Sequence, residues 1–504
     1  MKYKSFYIFV TLLFISGLAF GYSTPGSGVF WNADSLVLHS GGAVTGGPKT
    51  FVISDDITIS NGDTLVFLPG DTLIFNRQTG IHKIENYGVL WANSFTDKIV
   101  FTSSDQNYGD YTGFVLRNTQ EGSQSFIGCI IEYAQKGIRA IDASPTIQSC
   151  TIRHTSDAAI DLTGSNAVIK NCNITHNQKY ALKMTLSSSP LVEDNTFTQN
   201  NFQNTSPYVI ITIGLQGVNS PIIRGNHIIG GYEKSGGISV WGQSQAVIEQ
   251  NLIENCAYGI FCYQSGANPI IRDNILLNNN INPDTLYFGF GIACNGPNSP
   301  IITGNEIKGH FYGIALINGA QPNIGDLTNG SSNDDGGNRF LGNGIGPRKY
   351  ELYNNNPLPI MAQGNWWGTD NPDSIEARIV HQPDNPAFGL VNYTPYWHND
   401  PLPAKNNNQL TINDFVLEQN YPNPFNPSTV IPFYLPVSGR VVLEIFNILG
   451  QKQKTLVEQL LPAGRHTFLW DGTNNAGEAV SSGIYIYRLN YRGRTAAKTL
   501  LLNR

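Results

Sequence analysis

One short phrase recurs through the middle of the chain: a Pro or Ala, two aliphatics, two or three polar residues, an Asn and another aliphatic. Pro221-Ile222-Ile223-Arg224-Gly225-Asn226-His227-Ile228, Pro269-Ile270-Ile271-Arg272-Asp273-Asn274-Ile275-Leu276 and Pro300-Ile301-Ile302-Thr303-Gly304-Asn305-Glu306-Ile307 are three copies. Starts at Gln124, Pro145, Ala167, Pro190, Pro221, Ala246, Pro269, Pro300 and Pro322 are separated by 21, 22, 23, 31, 25, 23, 31 and 22 residues. A period near 22 with occasional insertions is that of a stacked coil, in which each repeat covers the open face of its neighbour.

Stacking is testable column by column, because equivalent positions on successive rungs lie about 4.8 Å apart. Five residues after each start the column reads Cys129, Cys150, Cys172, Asn195, Asn226, Asn251, Asn274, Asn305, which suits an inward turn where amides bond along the stack. Two residues later it is Ile131, Ile152, Ile174, Phe197, Ile228, Ile253, Leu276, Ile307, a core column. Three residues after the start it is polar, and Lys170, Glu193, Arg224, Glu249, Arg272 alternate in sign, as paired neighbours across strands do. A further strand follows a small residue in each repeat, as in Gly137-Ile138, Ala159-Ile160, Gly237-Ile238, Gly259-Ile260 and Gly291-Ile292. Two or three short strands per 22 residues predict an all-β chain built on a parallel β-helix, right-handed by the crossover rule. These phrases resemble the secreted right-handed parallel β-helix proteins of pectate-lyase-like architecture, across roughly residues 50–400. That resemblance implies a fold and leaves the activity open.

Charged residues are only 13% of the 504, with 52 Gly and 27 Pro, as expected of an extracellular all-β protein. A net charge of −6 without a recurring basic patch argues against nucleic acid as a partner. Met1-Lys2-Tyr3-Lys4, an apolar run over residues 6–20 and Ala19-Phe20-Gly21 read as a signal peptide over residues 1–21 rather than a stable membrane span. Residues 22–50 read as a lead-in, 51–398 as the coil, 399–412 as a polar, Pro-containing linker and 413–504 as a separate domain. The coil is expected to close at Asn365-Trp366-Trp367-Gly368, with both Trp plugging the core, a short helix over residues 374–381 and a last strand over 389–396.

The C-terminal segment carries strand-like runs at residues 430–435, 441–447, 464–470 and 483–489 separated by turn residues, which predicts a small antiparallel Ig-like β-sandwich. Its phrases closely resemble type IX secretion C-terminal sorting domains of type A. The resemblance rests on Asn420-Tyr421-Pro422-Asn423-Pro424-Phe425-Asn426-Pro427-Ser428-Thr429, Gly450-Gln451, Trp470-Asp471-Gly472 and Ser482-Gly483-Ile484-Tyr485-Ile486-Tyr487. It implies that residues 413–504 engage the type IX secretion machinery. It further implies a protein secreted from, or held at the surface of, a Gram-negative bacterium. Arg504 stands where that family more usually has Lys.

On the strand after the small residue, the outward column reads Arg139, Asp161, Lys183, Thr212, Ser239, Phe261, Ala293, Ala315. Two residues later it reads Ile141, Thr163, Thr185, Gly214, Trp241, Tyr263, Asn295, Ile317. Arg139, Asp161 and Lys183 are the candidate catalytic residues, since a polysaccharide lyase needs a base and cations to neutralise a uronate; a plain charge ladder is the simpler reading. Trp241, Phe261 and Tyr263 are candidate ligand-binding residues that would stack sugar rings. His154 and His176 stack on adjacent rungs and read as an exposed turn pair. No cofactor motif is present; Ca2+ is the one metal left open, at Asp326, Asp334 and Asp335, whose spacing nothing fixes. The six Cys fall in inward columns and read as buried free thiols rather than disulfides, although neighbouring rungs lie within disulfide reach. The leading expectation is a non-catalytic surface protein that binds glycans or serves as a scaffold. The alternative is a polysaccharide lyase or glycoside hydrolase, and an adhesin without a glycan site is a third reading.

Overall fold

The computed structural model describes residues 21–504 apart from 118–121, 205–208, 215, 401–414, 418, 421, 436–438, 462–463, 492–493 and 504. The signal peptide therefore lies outside the described residues but for Gly21, as do most of the linker and part of the first insertion. The chain divides into two compact units, Met1–Pro401 and Leu402–Arg504.

The first unit is a parallel β-helix with three strands per rung, forming three sheets of 14, 13 and 14 strands that are parallel but for the antiparallel pairing of Val44–Gly46 with Thr50–Ile53 at the start of the second. Thr146–Gln148, Thr151–Arg153 and Ala158–Thr163 make one such rung and belong to sheets 1, 2 and 3 in that order. The two short strands point one aliphatic inward and the longer one two: Ile147, Ile152, Ile160 and Leu162 are fully buried, each contributing about 1.5–3 kcal/mol of burial. The repeated phrase spans the corner between sheets 1 and 2. One residue per rung there adopts a left-handed conformation, with φ of 53° at Ser149, 57° at Asn171, 56° at Asp194 and 56° at Asp273. Glycine takes that place at Gly225 and Gly304, where φ is 65° and 67°.

The Asn after this residue points inward and bonds along the axis. The Asn251 side-chain oxygen accepts from the backbone and amide nitrogens of Asn226 at 3.0 and 2.9 Å. Its own amide donates to Ile223 O at 2.8 Å and Asn274 Oδ1 at 2.9 Å. The ladder runs through Asn195, Asn226, Asn251, Asn274, Asn305, Asn338 and Asn365, two rungs further than the repeated phrase shows. The cysteines of the same column are free and buried and do part of the same work. Cys129 and Cys150 donate from Sγ to Ala92 O and Phe126 O of the preceding rung at 3.1 and 3.2 Å. Outside the corner, Glu193 pairs with Lys170 at 2.6 Å and Arg224 at 2.5 Å, and Arg272 with Glu249 at 2.6 Å, as the alternating column predicts.

A second ladder, not visible in the repeated phrase, follows sheet 2 through Asn177 and Asn200 and later through Asn279, His310 and Asn343. His310 accepts at Nδ1 from Asn279 N at 3.0 Å and lies 3.1 Å from Leu276 O at Nε2, so it fits the ladder only as the neutral ring.

Both ends are closed. Residues 22–50 already contribute strands Tyr22–Ser23 and Phe30–Asn32 to the sheets, and the helix Ala33–His39 buries Leu36 behind an Asn32–Ser35 capping box. At the other end only Trp367 plugs the core, stacked on Phe340 with centroids 4.6 Å apart. Trp366 is half-buried, because adjacent residues of an extended chain face opposite ways. The closing helix is the single turn Pro372–Glu376, and Ile379–Val380 instead joins sheet 3 as its last strand. The last strand of sheet 1 is only Val391–Asn392. No helix among the described residues is long and apolar enough to cross a membrane.

The second unit is an antiparallel pair of sheets of three and four strands. Beyond the four expected runs it contains Val416–Leu417, Lys452–Leu461 and Arg494–Leu502; the largely exposed pattern of Lys452–Leu461 hides it from a search for alternating strands. The Asn420–Thr429 phrase is a built turn: Asn420 Nδ2 donates to Thr429 Oγ1 at 2.9 Å, and Asn420 N donates to the Tyr487 hydroxyl at 3.0 Å. The same phrase grips the last strand, since Asn423 Oδ1 accepts from Leu501 N at 2.8 Å.

Burial pushes the His310 imidazole down to about 3. The unfolded chain therefore binds a proton below about pH 6.5 that the folded chain refuses, and stability falls as pH drops from there towards 3. In urea titrations across this range, His310→Asn, which restores the ladder residue of its neighbours, should keep the fold and flatten that slope. An unchanged slope would contradict the neutral-ladder role.

Candidate functional site

Sheet 3 carries the predicted site residues. Arg139, Asp161 and Lys183 are aligned neighbours on consecutive strands Lys136–Ile141, Ala158–Thr163 and Tyr180–Thr185. Their side chains do not form the simple ladder that the column implies. Asp161 is almost covered, its side chain 5% exposed, and Lys136 is hydrogen-bonded to it while Arg139 Nε approaches the same oxygen at 3.9 Å. Lys136 also lies 3.4 Å from Asp157, which Lys179 approaches at 3.9 Å. Lys183 turns away from Asp161, its ammonium 5.6 Å from the centre of the Tyr180 ring. Burial, and then Asp157 and Asp161, push the Tyr180 hydroxyl up to about 12.

Lys136 and Tyr180 were missed because columns were counted from the small residue onward. The position just before it reads Lys136, Ala158, Tyr180, Gly236, Tyr258, Phe290 and Tyr312, large or charged on five of seven rungs, a signal the sequence does contain. Further along the axis, Glu85 bonds Lys83 and Arg117 at 2.6 Å each. Burial alone would raise its pKa, but the two cations hold it below the usual carboxylate range. The strands of these rungs carry Lys83, Arg117, Lys136, Arg139 and Lys183 against Glu85 and Asp161, and the turns leading into them add Arg77 and Lys179 against Asp105, Asp110 and Asp157, so seven cations against five carboxylates leave two positive charges in excess.

Trp241, Phe261 and Tyr263 continue the same face and touch. Trp241 and Tyr263 meet edge-on with centroids 4.6 Å apart, and Phe261 lies 5.6 Å from Tyr263 and 5.7 Å from Tyr258. The Trp241 indole donates to Ser239 Oγ at 2.9 Å, which fixes the ring over the sheet. All three rings are half-buried. Ala293 and Ala315, outward by register, are buried: they join Ala257, Tyr258 and Phe290 in a second apolar cluster against which Phe261, Phe288 and Tyr312 pack. The insertion at residues 278–287 thus leads into a roof over that part of the face rather than an open loop. Asn282 anchors it to Glu233 O at 2.8 Å.

His154 and His176 sit on adjacent rungs with ring centroids 5.8 Å apart, in the turn between sheets 2 and 3. Asp326 is half-buried and bonded to Thr328, whereas Asp334 accepts from Asn323 and Asn329 at 2.6 and 2.7 Å. Asp335 lines a separate hollow of ≈ 260 Å³ with Asp273 and Trp397. Among the described residues no group of three or more His, Cys, Asp or Glu is arranged to hold a metal ion.

With this geometry in place, two family models match: the right handed beta helix region at residues 112–212 and 211–326, and the FlgD Ig-like domain at residues 430–494. The coil is accordingly right-handed. No curated protein matches the chain. Among solved structures, the periplasmic alginate epimerase AlgG is similar over 58% of this chain and 82% of its own, at 12% identity and a TM-score of 0.42. Pectate lyase Pel9A is similar over 67% of this chain and 70% of its own, at 12% identity and a TM-score of 0.23. Dimeric latent PorU from Porphyromonas gingivalis is similar over 18% of this chain and 9% of its own, at 24% identity and a TM-score of 0.16.

The ion geometry separates two lysines that look equivalent in sequence. Lys136→Ala strands the buried Asp161 carboxylate and should cost about 1–3 kcal/mol in urea denaturation. Lys183→Ala should cost under about 0.5 kcal/mol. Equal costs would contradict the assignment of Lys136 as the partner of Asp161.

Proposed function

We propose that this is an exported protein that binds glycans along the outer face of sheet 3 and is delivered across the outer membrane by its C-terminal domain. The observation that carries the binding reading is one continuous sheet face with excess cations on its earlier rungs and the half-buried rings of Trp241, Phe261 and Tyr263 on later ones. Sugars are held by such pairs of features, rings against their apolar faces and charges against their substituents. The catalytic reading has less support. A lyase needs an accessible base beside its cations, and Asp161 is roofed by Lys136 and Arg139. In this reading Arg139, Lys136 and Lys183 are binding groups and Asp161 holds two of them in place.

The sorting reading is supported by the order of the phrases from Asn420 to Tyr487 and by the hydrogen bonds through which the Asn420–Thr429 turn holds the last strand. The secreted or surface-held location follows from it, together with the expected signal peptide. In the native host, deleting residues 413–504 should leave the protein in the periplasm; unchanged export would overturn this part. On a glycan array the full chain should bind at least one polysaccharide class, and Trp241→Ala should weaken that binding about tenfold without lowering the melting temperature. Release of unsaturated products from uronate polymers, lost in Arg139→Ala and Lys183→Ala, would favour a lyase instead.

A further inference from the structure

We propose that the outer face of sheet 1 is a self-association surface, on which a second copy of this chain packs with its coil axis reversed. The surface is separate from sheet 3 and from the glycans proposed there.

Sheet 1 carries two outward columns. The first opens its strands on six consecutive rungs with an aliphatic: Val168, Leu191, Ile222, Val247, Ile270 and Ile301 are aligned neighbours. Ile222 is 38% exposed and the other five are half-buried, while the residue after each of them is fully buried in the core. Branched aliphatics on a pleated face match another flat β surface, whereas sugars stack on aromatic rings. The second column, two residues on, alternates in sign through Lys170, Glu193, Arg224, Glu249 and Arg272. Lys170 and Arg224 both pair with Glu193, and Arg272 pairs with Glu249. Among the described residues no ion pair joins Arg224 to Glu249, although they are aligned on adjacent strands, so the ladder breaks between them.

A twofold axis fits at that break. An axis lying in the face, along the strands and midway between these two rungs, reverses the order of the rungs and keeps each column opposite itself. Arg224 then meets Glu249 of the second copy, and Glu193 meets its Arg272, so opposite charges face each other across the whole contact. The aliphatics match as well, Ile222 against Val247, Leu191 against Ile270 and Val168 against Ile301. An axis along the coil would instead set the charged column over the aliphatic stripe and bury charge without a partner.

The face is clear and large enough. On these rungs the chain passes from sheet 1 to sheet 2 through two residues, as at Gly225-Asn226. The long connections after Thr198 and Leu277 both lead from sheet 2 to sheet 3 instead. Eight strands of sheet 1 lie on the Ile222 side of the axis and six on the Val247 side, so 12 are covered. At about 4.8 Å per rung and about 10 Å of strand, the two copies together cover roughly 1,200 Å², above the roughly 1,000 Å² that a specific interface needs.

Sedimentation equilibrium of the full-length protein should show a dimer at micromolar concentration; a monomer throughout would overturn the proposal. Ile222→Glu, beside the axis, should weaken the dimer at least tenfold with the far-ultraviolet circular dichroism unchanged. Arg224→Glu and Glu249→Arg should each weaken it about tenfold, because each sets like charges against one another across the axis. An equimolar mixture of these two variants should recover the dimer, since opposite charges then face again in both pairs. Trp241→Ala, on sheet 3, should leave association unchanged. A dimer that survives Ile222→Glu would put the contact on another face and overturn the proposal. A mixture that associates no better than either variant alone would overturn the twofold arrangement.

Discussion

The coil depends on keeping its rungs in register, and the inward amides impose that register. A parallel stack of three-residue strands has few ladder bonds per strand, and a slip by one residue would turn every inward aliphatic outward. Each Asn of the corner prevents this by bonding at once to the rung before and the rung after. Asn251, for example, is tied to Asn226, Asn274 and Ile223 O. Fully paired buried amides of this kind specify one alignment, whereas a single missing partner leaves donors and acceptors stranded in an apolar interior. The free thiols of Cys129 and Cys150 hold the same kind of carbonyl contact on the earlier rungs.

That constraint frees the outside of the coil. With register set from within, the outward positions vary, and the three sheets have diverged. Sheet 1 spends its outward charges on each other, as in Lys170–Glu193–Arg224. Sheet 3 does not: its cations outnumber its carboxylates, its rings stay half-exposed, and Phe288, just after an insertion, packs over part of it. The same turn that carries Asn and Gly in the later rungs carries Tyr and His in the earlier ones. Function is concentrated where the periodic scaffold is departed from, not where it is repeated.

Much of this was legible in the residues, and what was not has physical reasons. The inward columns, the register of Arg139, Asp161 and Lys183, and the contiguity of Trp241, Phe261 and Tyr263 follow from spacing alone. Spacing does not report where a flexible side chain goes, so Lys183 settling over Tyr180 and Lys136 reaching diagonally to Asp161 were not visible. Nor does it report cover: Ala293 and Ala315 face outward by parity and are buried among Tyr258, Phe261, Phe288, Phe290 and Tyr312. Trp366 and Trp367 look alike in sequence, yet alternation sends only one into the core.

Hydroxyl-radical footprinting of the full-length protein with and without a bound polysaccharide tests the central claim, that the outer face of sheet 3 is the functional surface. The account predicts protection at Trp241 and Tyr263, with no change at Phe30 and Trp91, which are 70% and 39% exposed elsewhere on the coil. Protection at Phe30 or Trp91 with none at the sheet 3 rings would contradict it.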